Sequence, residues 1–207
     1  MDVRQIRDES IAAARKLGVH RLATLPLLDA NLEMRALEES ASRLLAMHPL
    51  GGAAYGFDKA KAIAWLNQEG LYGYLTDSER RFLAEGIGEP EPFQYQIEGM
   101  WALAWALGLA RELDFAKDCD DRFALMFPSV KQHESTAEFR SKLNPRPLDE
   151  VVSALDLAYC LHWAIRDAEI HGKPPPGKLK PYVVIERRRA FEWLLSRDKW
   201  DEVMMDT

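Results

Sequence analysis

The sequence predicts an all-α fold: an irregular, single-domain helical bundle with three long helices and several short ones. Two observations carry this expectation. Apolar residues recur at helical spacing along almost the whole chain, and alternating strand patterns occur almost nowhere. The 207 residues are enough for one self-sufficient core and too few for two comfortable ones, so residues 1–207 are expected to form one domain. A hydrophobic share of 47% with 29% charged residues excludes disorder along most of the chain.

The elements follow from local signals. A first helix runs from about Val3 to Leu17 and stops at Gly18. Val19 to Ala30, with Pro26 inside it, is expected to be extended or irregular. A second helix, about Leu32 to Met47, should end before Pro49 and the glycines Gly51, Gly52 and Gly56. Asp58 starts a short helix through Leu66. Thr76 and Glu79 stand at capping-box spacing and start another, which Gly86 ends. After the loop Gly88 to Pro92, Phe93 to Glu112 is the first long helix. Asp118 to Phe127 and Ser135 to Leu143 are shorter, the latter with Ser135 and Glu138 again at capping-box spacing. Leu148 to His171 is the second long helix. The run GKPPPGK, residues 172–178, is a stiff connector, because proline lacks the amide donor that a helix needs. The last long helix covers about Tyr182 to Leu195, and the tail Trp200 to Thr207 is expected to fold back onto the core.

Charge and motif content narrow the function classes. With 27 basic against 33 acidic residues the net charge is −6, which argues against nucleic acid as the partner. The locally basic run Lys173 to Arg189 reads as a solvated helix face beside a linker. The charged opening MDVRQIRDES is no signal peptide, and the longest charge-free apolar stretch, Gly99 to Ala110, is too short to span a bilayer. A cytoplasmic protein with no membrane partner is expected. Cys119 and Cys160 sit in no CxxC and read as free thiols. The five histidines are scattered, HExxH is absent, and Asp118, Asp120 and Asp121 lack the glycine and glutamate that an EF-hand loop requires. Phosphate-loop, dinucleotide and nucleophile-elbow patterns are also missing, so neither metal nor cofactor is expected.

Charges on apolar helix faces are the unusual feature. Wound at 100° per residue, the helix from Leu148 has its apolar arc on Val151, Leu155, Ala158 and Tyr159, and His162, Arg166 and Glu169 continue that line. Ser153, Asp156 and Asp167 point away from it. In the last helix Glu186 and Arg187 lie among apolar residues, while Arg188 and Glu192 fall on the solvent side. Glu98 shares a face with Trp105 and Leu109. Buried charges cost several kcal/mol each unless paired, on the order-of-magnitude scale for ions in protein interiors. Glu98, Glu169 and Glu186 therefore need Arg166, Arg187, Arg140 or His162. Structurally this is an ion-pair network; functionally it is a polar pocket in which Glu98, His162 and Glu186 are the catalytic candidates and Arg166, Arg187, Glu169 and Arg140 the ligand-binding ones.

The segments IEGMWALAWALG, LDLAYCLHWAIRDA, VVIERRRAFEWL and WDEVMMDT together resemble the bacterial family called domain of unknown function 4272. The resemblance covers most of the chain and places Glu98, His162, Arg166, Glu186, Arg187 and Asp201 inside the recognisable segments. It implies an uncharacterised bacterial protein and carries over no catalytic residues.

Two function classes follow from the sequence. The first is a helical module that binds another protein or a small ligand without a cofactor, self-association remaining open. The second is a hydrolase or transferase using Glu98 or Glu186 with His162, with Arg166 or Arg187 holding an anionic substrate. A cleft joining these side chains to solvent favours the enzyme; mutual pairing favours the binding module.

Overall fold

The computed structural model describes residues 1–206. Those residues form eight α-helices and no strand: α1 (Val3–Lys16), α2 (Leu37–Ala54), α3 (Lys59–Gln68), α4 (Asp77–Glu85), α5 (Glu91–Ala106), α6 (Ala137–Ser141), α7 (Leu148–Ile170) and α8 (Pro181–Leu195). No helix among them is long and apolar enough to cross a membrane.

Packing runs as a series: α4 lies on α3, α3 on α2, α2 on α5, α5 on α8, α8 on α7, and α7 on α1. The central α5 and α8 run parallel, since the contacts Tyr95–Tyr182, Glu98–Arg187 and Trp105–Phe191 advance together along both. They approach closely at Gly99, where a Cβ would lie 3.2 Å from the Glu186 carbonyl oxygen. Leu103, Leu155, Val184 and Phe191 are fully or almost fully buried in the apolar cluster that joins these helices.

Several boundaries depart from the local signals. Helix α2 starts at Leu37 and continues through Pro49 to Ala54, which makes it a fourth long helix. Proline costs one backbone bond, but Leu50 and Ala53 beyond it are buried and α2 packs on α5, so tertiary packing outweighs local propensity. Helix α5 stops at Ala106 instead of Glu112. Its terminal carbonyls find partners in the incoming chain: Asn144 N–H bonds Leu107 O at 3.0 Å and Arg146 N–H bonds Ala106 O at 2.8 Å. Gly108 permits this, having φ +81° and no Cβ where the Asn144 carbonyl would clash at 2.0 Å. Residues 118–127 form only a 3-10 turn at Phe123–Met126. The capping box at Thr76 and Glu79 is present, whereas Ser135 and Glu138 make none and α6 starts after Thr136. The 172–178 connector forms no helix and seats Gly177 against the end of α1, where a Cβ would meet the Leu17 carbonyl oxygen at 2.1 Å.

Candidate functional site

Three long irregular segments cross this frame, residues 17–36, 107–122 and 196–206. Each is tied down by a buried arginine from a helix. Arg7 on α1 donates to the carbonyls of Leu25 and Pro26 at 2.9 and 2.8 Å, and its charge is met by Asp156 of α7 at 2.8 Å. Bonding to Asp156 raises the Arg7 pKa. Arg187 on α8 donates to Asp114 O and Lys117 O at 2.8 and 3.0 Å and pairs with Glu98 Oε2 at 2.6 Å. Arg188 donates to Met205 O and Asp206 O at 3.3 and 2.9 Å, to His162 Nδ1 at 2.7 Å and to Glu192 at 3.1 Å. Arg43 repeats the pattern, bridging Glu79 and Tyr74 O while lying 4.4 Å from the Trp200 ring centroid. A guanidinium suits this task because its fork of donors serves a carboxylate and carbonyls at once.

The expected site residues do not gather in one place. Glu98, 1% exposed, is fully engaged: Oε2 takes Arg187, and Oε1 accepts the Cys119 N–H at 2.9 Å. Burial, with the nearby Glu98 charge second, pushes the Cys119 thiol up to about 12. His162 belongs instead to the Arg188 cluster. Arginine has no acceptor, so His162 Nδ1 must be unprotonated in that bond. Burial, reinforced by Arg188, lowers its pKa to about 4, which keeps the ring neutral. Glu186, its side chain mostly buried, meets only Arg189 at 3.5 Å and leaves Oε2 without a partner. Burial raises its pKa.

Five placements are corrections. Arg166 and Glu169 do not face the core; they are 47% and 64% exposed along their side chains and pair with each other. Beyond His162 the buried face of α7 is carried by Ala164, Ile165 and Ala168, not by the line that Arg166 and Glu169 continue. Arg140 serves Glu38 and Ser42 of α2, at 2.8 and 3.0 Å, and none of the three predicted carboxylates. Asp156 and Arg188, placed on solvent faces by the helical wheel, are 1% and 4% exposed. Helices α7 and α8 are each packed on two sides, so a single apolar arc underestimates what they bury.

A cleft of about 590 Å³ opens beside the 107–122 segment, with Arg187 in its lining. Trp101 and Phe123, in edge-to-face contact at 5.1 Å, form its apolar wall with Leu109 and Met126. Arg111, Arg122 and Lys117 line it as cations, and Glu112, Asp114, Asp118 and Asp120 as acids. Most of these acids are engaged. Asp114 accepts the Ala116 N–H and pairs with Lys117; Asp118 takes Lys180 and the Tyr182 hydroxyl; both are held below the usual carboxylate range by those bonds. Sequence reasoning missed this cleft by extending the helix to Glu112. Gly108, a natural helix stop, was the signal that could have exposed it. Among the described residues no group of three or more His, Cys, Asp or Glu is placed to hold a metal ion.

Fold and site together define an all-helical protein whose irregular segments are fastened by buried arginine–carboxylate pairs beside an open cleft. The family model for a domain of unknown function, DUF4272, matches residues 6–203, and the chain belongs to that family. No curated protein and no solved structure matches it.

Proposed function

We propose that the protein is a helical binding module that takes a small ligand in the cleft beside residues 107–122. The observation that carries this is the division of labour between the buried charges and the cleft. Glu98 and His162 spend their acceptors on two different arginines, so they act as fasteners and do not converge as acid and base. The cleft, by contrast, combines an aromatic wall with polar groups at a volume typical of small-molecule sites, which run from about 300 to 1,000 Å³. Its rim is formed by an irregular segment longer than most connections, and such segments are commonly functional.

The test uses three probes of one shape: 2-naphthoate, 2-naphthylmethanol and 2-naphthylmethylamine. In amide NMR spectra at least one should shift residues 109–126, with a dissociation constant below about 1 mM. Met126→Trp, at a 40% exposed position in the cleft lining, should abolish those shifts without unfolding the protein. Shifts by no probe, or shifts that persist in Met126→Trp, would remove the cleft as a binding site.

A further inference from the structure

We infer that the cleft selects organic anions, a planar apolar body carrying a carboxylate or similar acid, an inference that rests on the cleft being a binding site. It follows from the spare bonding capacity of the charged side chains that line the cleft. Arg187 is neutralised by Glu98, Lys117 is taken by Asp114, and Asp118 holds Lys180 and Tyr182. Glu112 adds to the charge field at Lys117 but makes no hydrogen bond among the described residues. Asp120 spends Oδ1 on the Arg122 N–H at 2.7 Å. Arg111 and Arg122, in contrast, make no side-chain hydrogen bond, ion pair or ring contact among the described residues, although both line the cleft.

Arg187 borders the cleft but is 0% exposed, and its donors serve Glu98 and the carbonyls of Asp114 and Lys117, so it offers a ligand nothing directly. The free donors are those of Arg111 and Arg122, both exposed. An acid group entering the cleft can draw on these two forks, while a cation finds Glu112 and the uncommitted oxygen of Asp120. Charge-assisted bonds to guanidinium are short and about twice as strong as neutral ones. Trp101, partly exposed and backed edge-to-face by the buried Phe123, offers the flat surface for the apolar body.

The same naphthyl series decides between outcomes. 2-Naphthoate should bind at least about tenfold more tightly than 2-naphthylmethanol, a preference weakened by added salt, and the amine should bind most weakly. Arg111→Gln with Arg122→Gln, both at exposed positions, should remove the preference for naphthoate while leaving the alcohol's affinity within about twofold. If the alcohol or amine binds as tightly as naphthoate, the anion inference is wrong and the cleft remains a binding site. If the preference survives the double substitution, the two arginines do not create it and the inference falls. If no probe binds at all, the binding site itself is lost and the selectivity with it.

Discussion

Arg187 and Arg188 are neighbours on α8, yet they fasten different parts of the chain by different chemistry. Arg187 holds the 107–122 segment and is answered by a carboxylate that is itself 1% exposed. Arg188 holds the tail and is answered by a neutral histidine and by Glu192, whose side chain is 24% exposed. The first arrangement is a closed ion pair, with hydrogen bonds on both carboxylate oxygens. The second relies on a group that changes charge in mildly acidic solution. One helix thus carries a fastening defined by its ion pair and, one residue on, a fastening that depends on histidine neutrality.

The largest effect should come from breaking the first. Glu98→Ala leaves Arg187 uncompensated and frees the Cys119 amide, and should destabilise by about 3–5 kcal/mol in chemical denaturation. Glu98→Gln keeps the shape and some of the bonding and should cost less. Amide exchange should quicken first in residues 114–119, which Arg187 and Glu98 hold directly. A parental denaturation midpoint in both variants would mean that the pair holds nothing.

The all-helical class was legible in the sequence because periodicity survives whatever the helices pack against. The pairing partners were less so. Glu98 and Arg187 stood out because each interrupts an apolar face. Arg7, Asp156 and Arg188 did not, because a helical wheel assigns one buried arc while α7 and α8 are covered on two sides. Arg166 and Glu169 failed the other way: their spacing continues the apolar line, but the buried face at that end of α7 is carried by Ala164, Ile165 and Ala168 instead. The cleft lies in a segment shaped by Asn144 and Arg146 meeting the end of α5, contacts more than 35 residues away in sequence that no local pattern records.

Acid should act on the second fastening. The folded-state pKa of His162 lies near 4, below the ordinary 6.5, so the unfolded chain takes up the proton first. Its contribution is therefore full above pH 6.5 and is lost as pH falls towards 4, by about 3 kcal/mol at most. His48, buried against Phe127 and also lowered to about 4 by burial, titrates in the same window. His162→Gln, which preserves an acceptor for Arg188, should remove roughly half of the destabilisation seen between pH 6.5 and 4. A pH profile identical to that of the parent would show that protonation of His162 is not felt by the fold.

The smallest effect, of opposite sign, belongs to the residue just before Arg187. Glu186 carries a charge into a buried place with only a 3.5 Å contact to Arg189 and one oxygen unpaired. Its pKa is raised by burial, so its protonated form suits the fold and its ionised form strains it. Stability attached to this group is present below its unfolded pKa and is lost as pH rises through the raised folded value. Glu186→Gln removes the charge and keeps the shape, and should stabilise the protein at pH 7 by about 1 kcal/mol, within the range of a single favourable substitution. The gain should shrink as pH is lowered into the range where Glu186 itself becomes neutral. Glu98→Gln must do the reverse at pH 7, since there the lost charge was paired. If Glu186→Gln destabilises instead, the ionised carboxylate has a partner that contributes to the fold, and the contrast between residues 186 and 187 disappears.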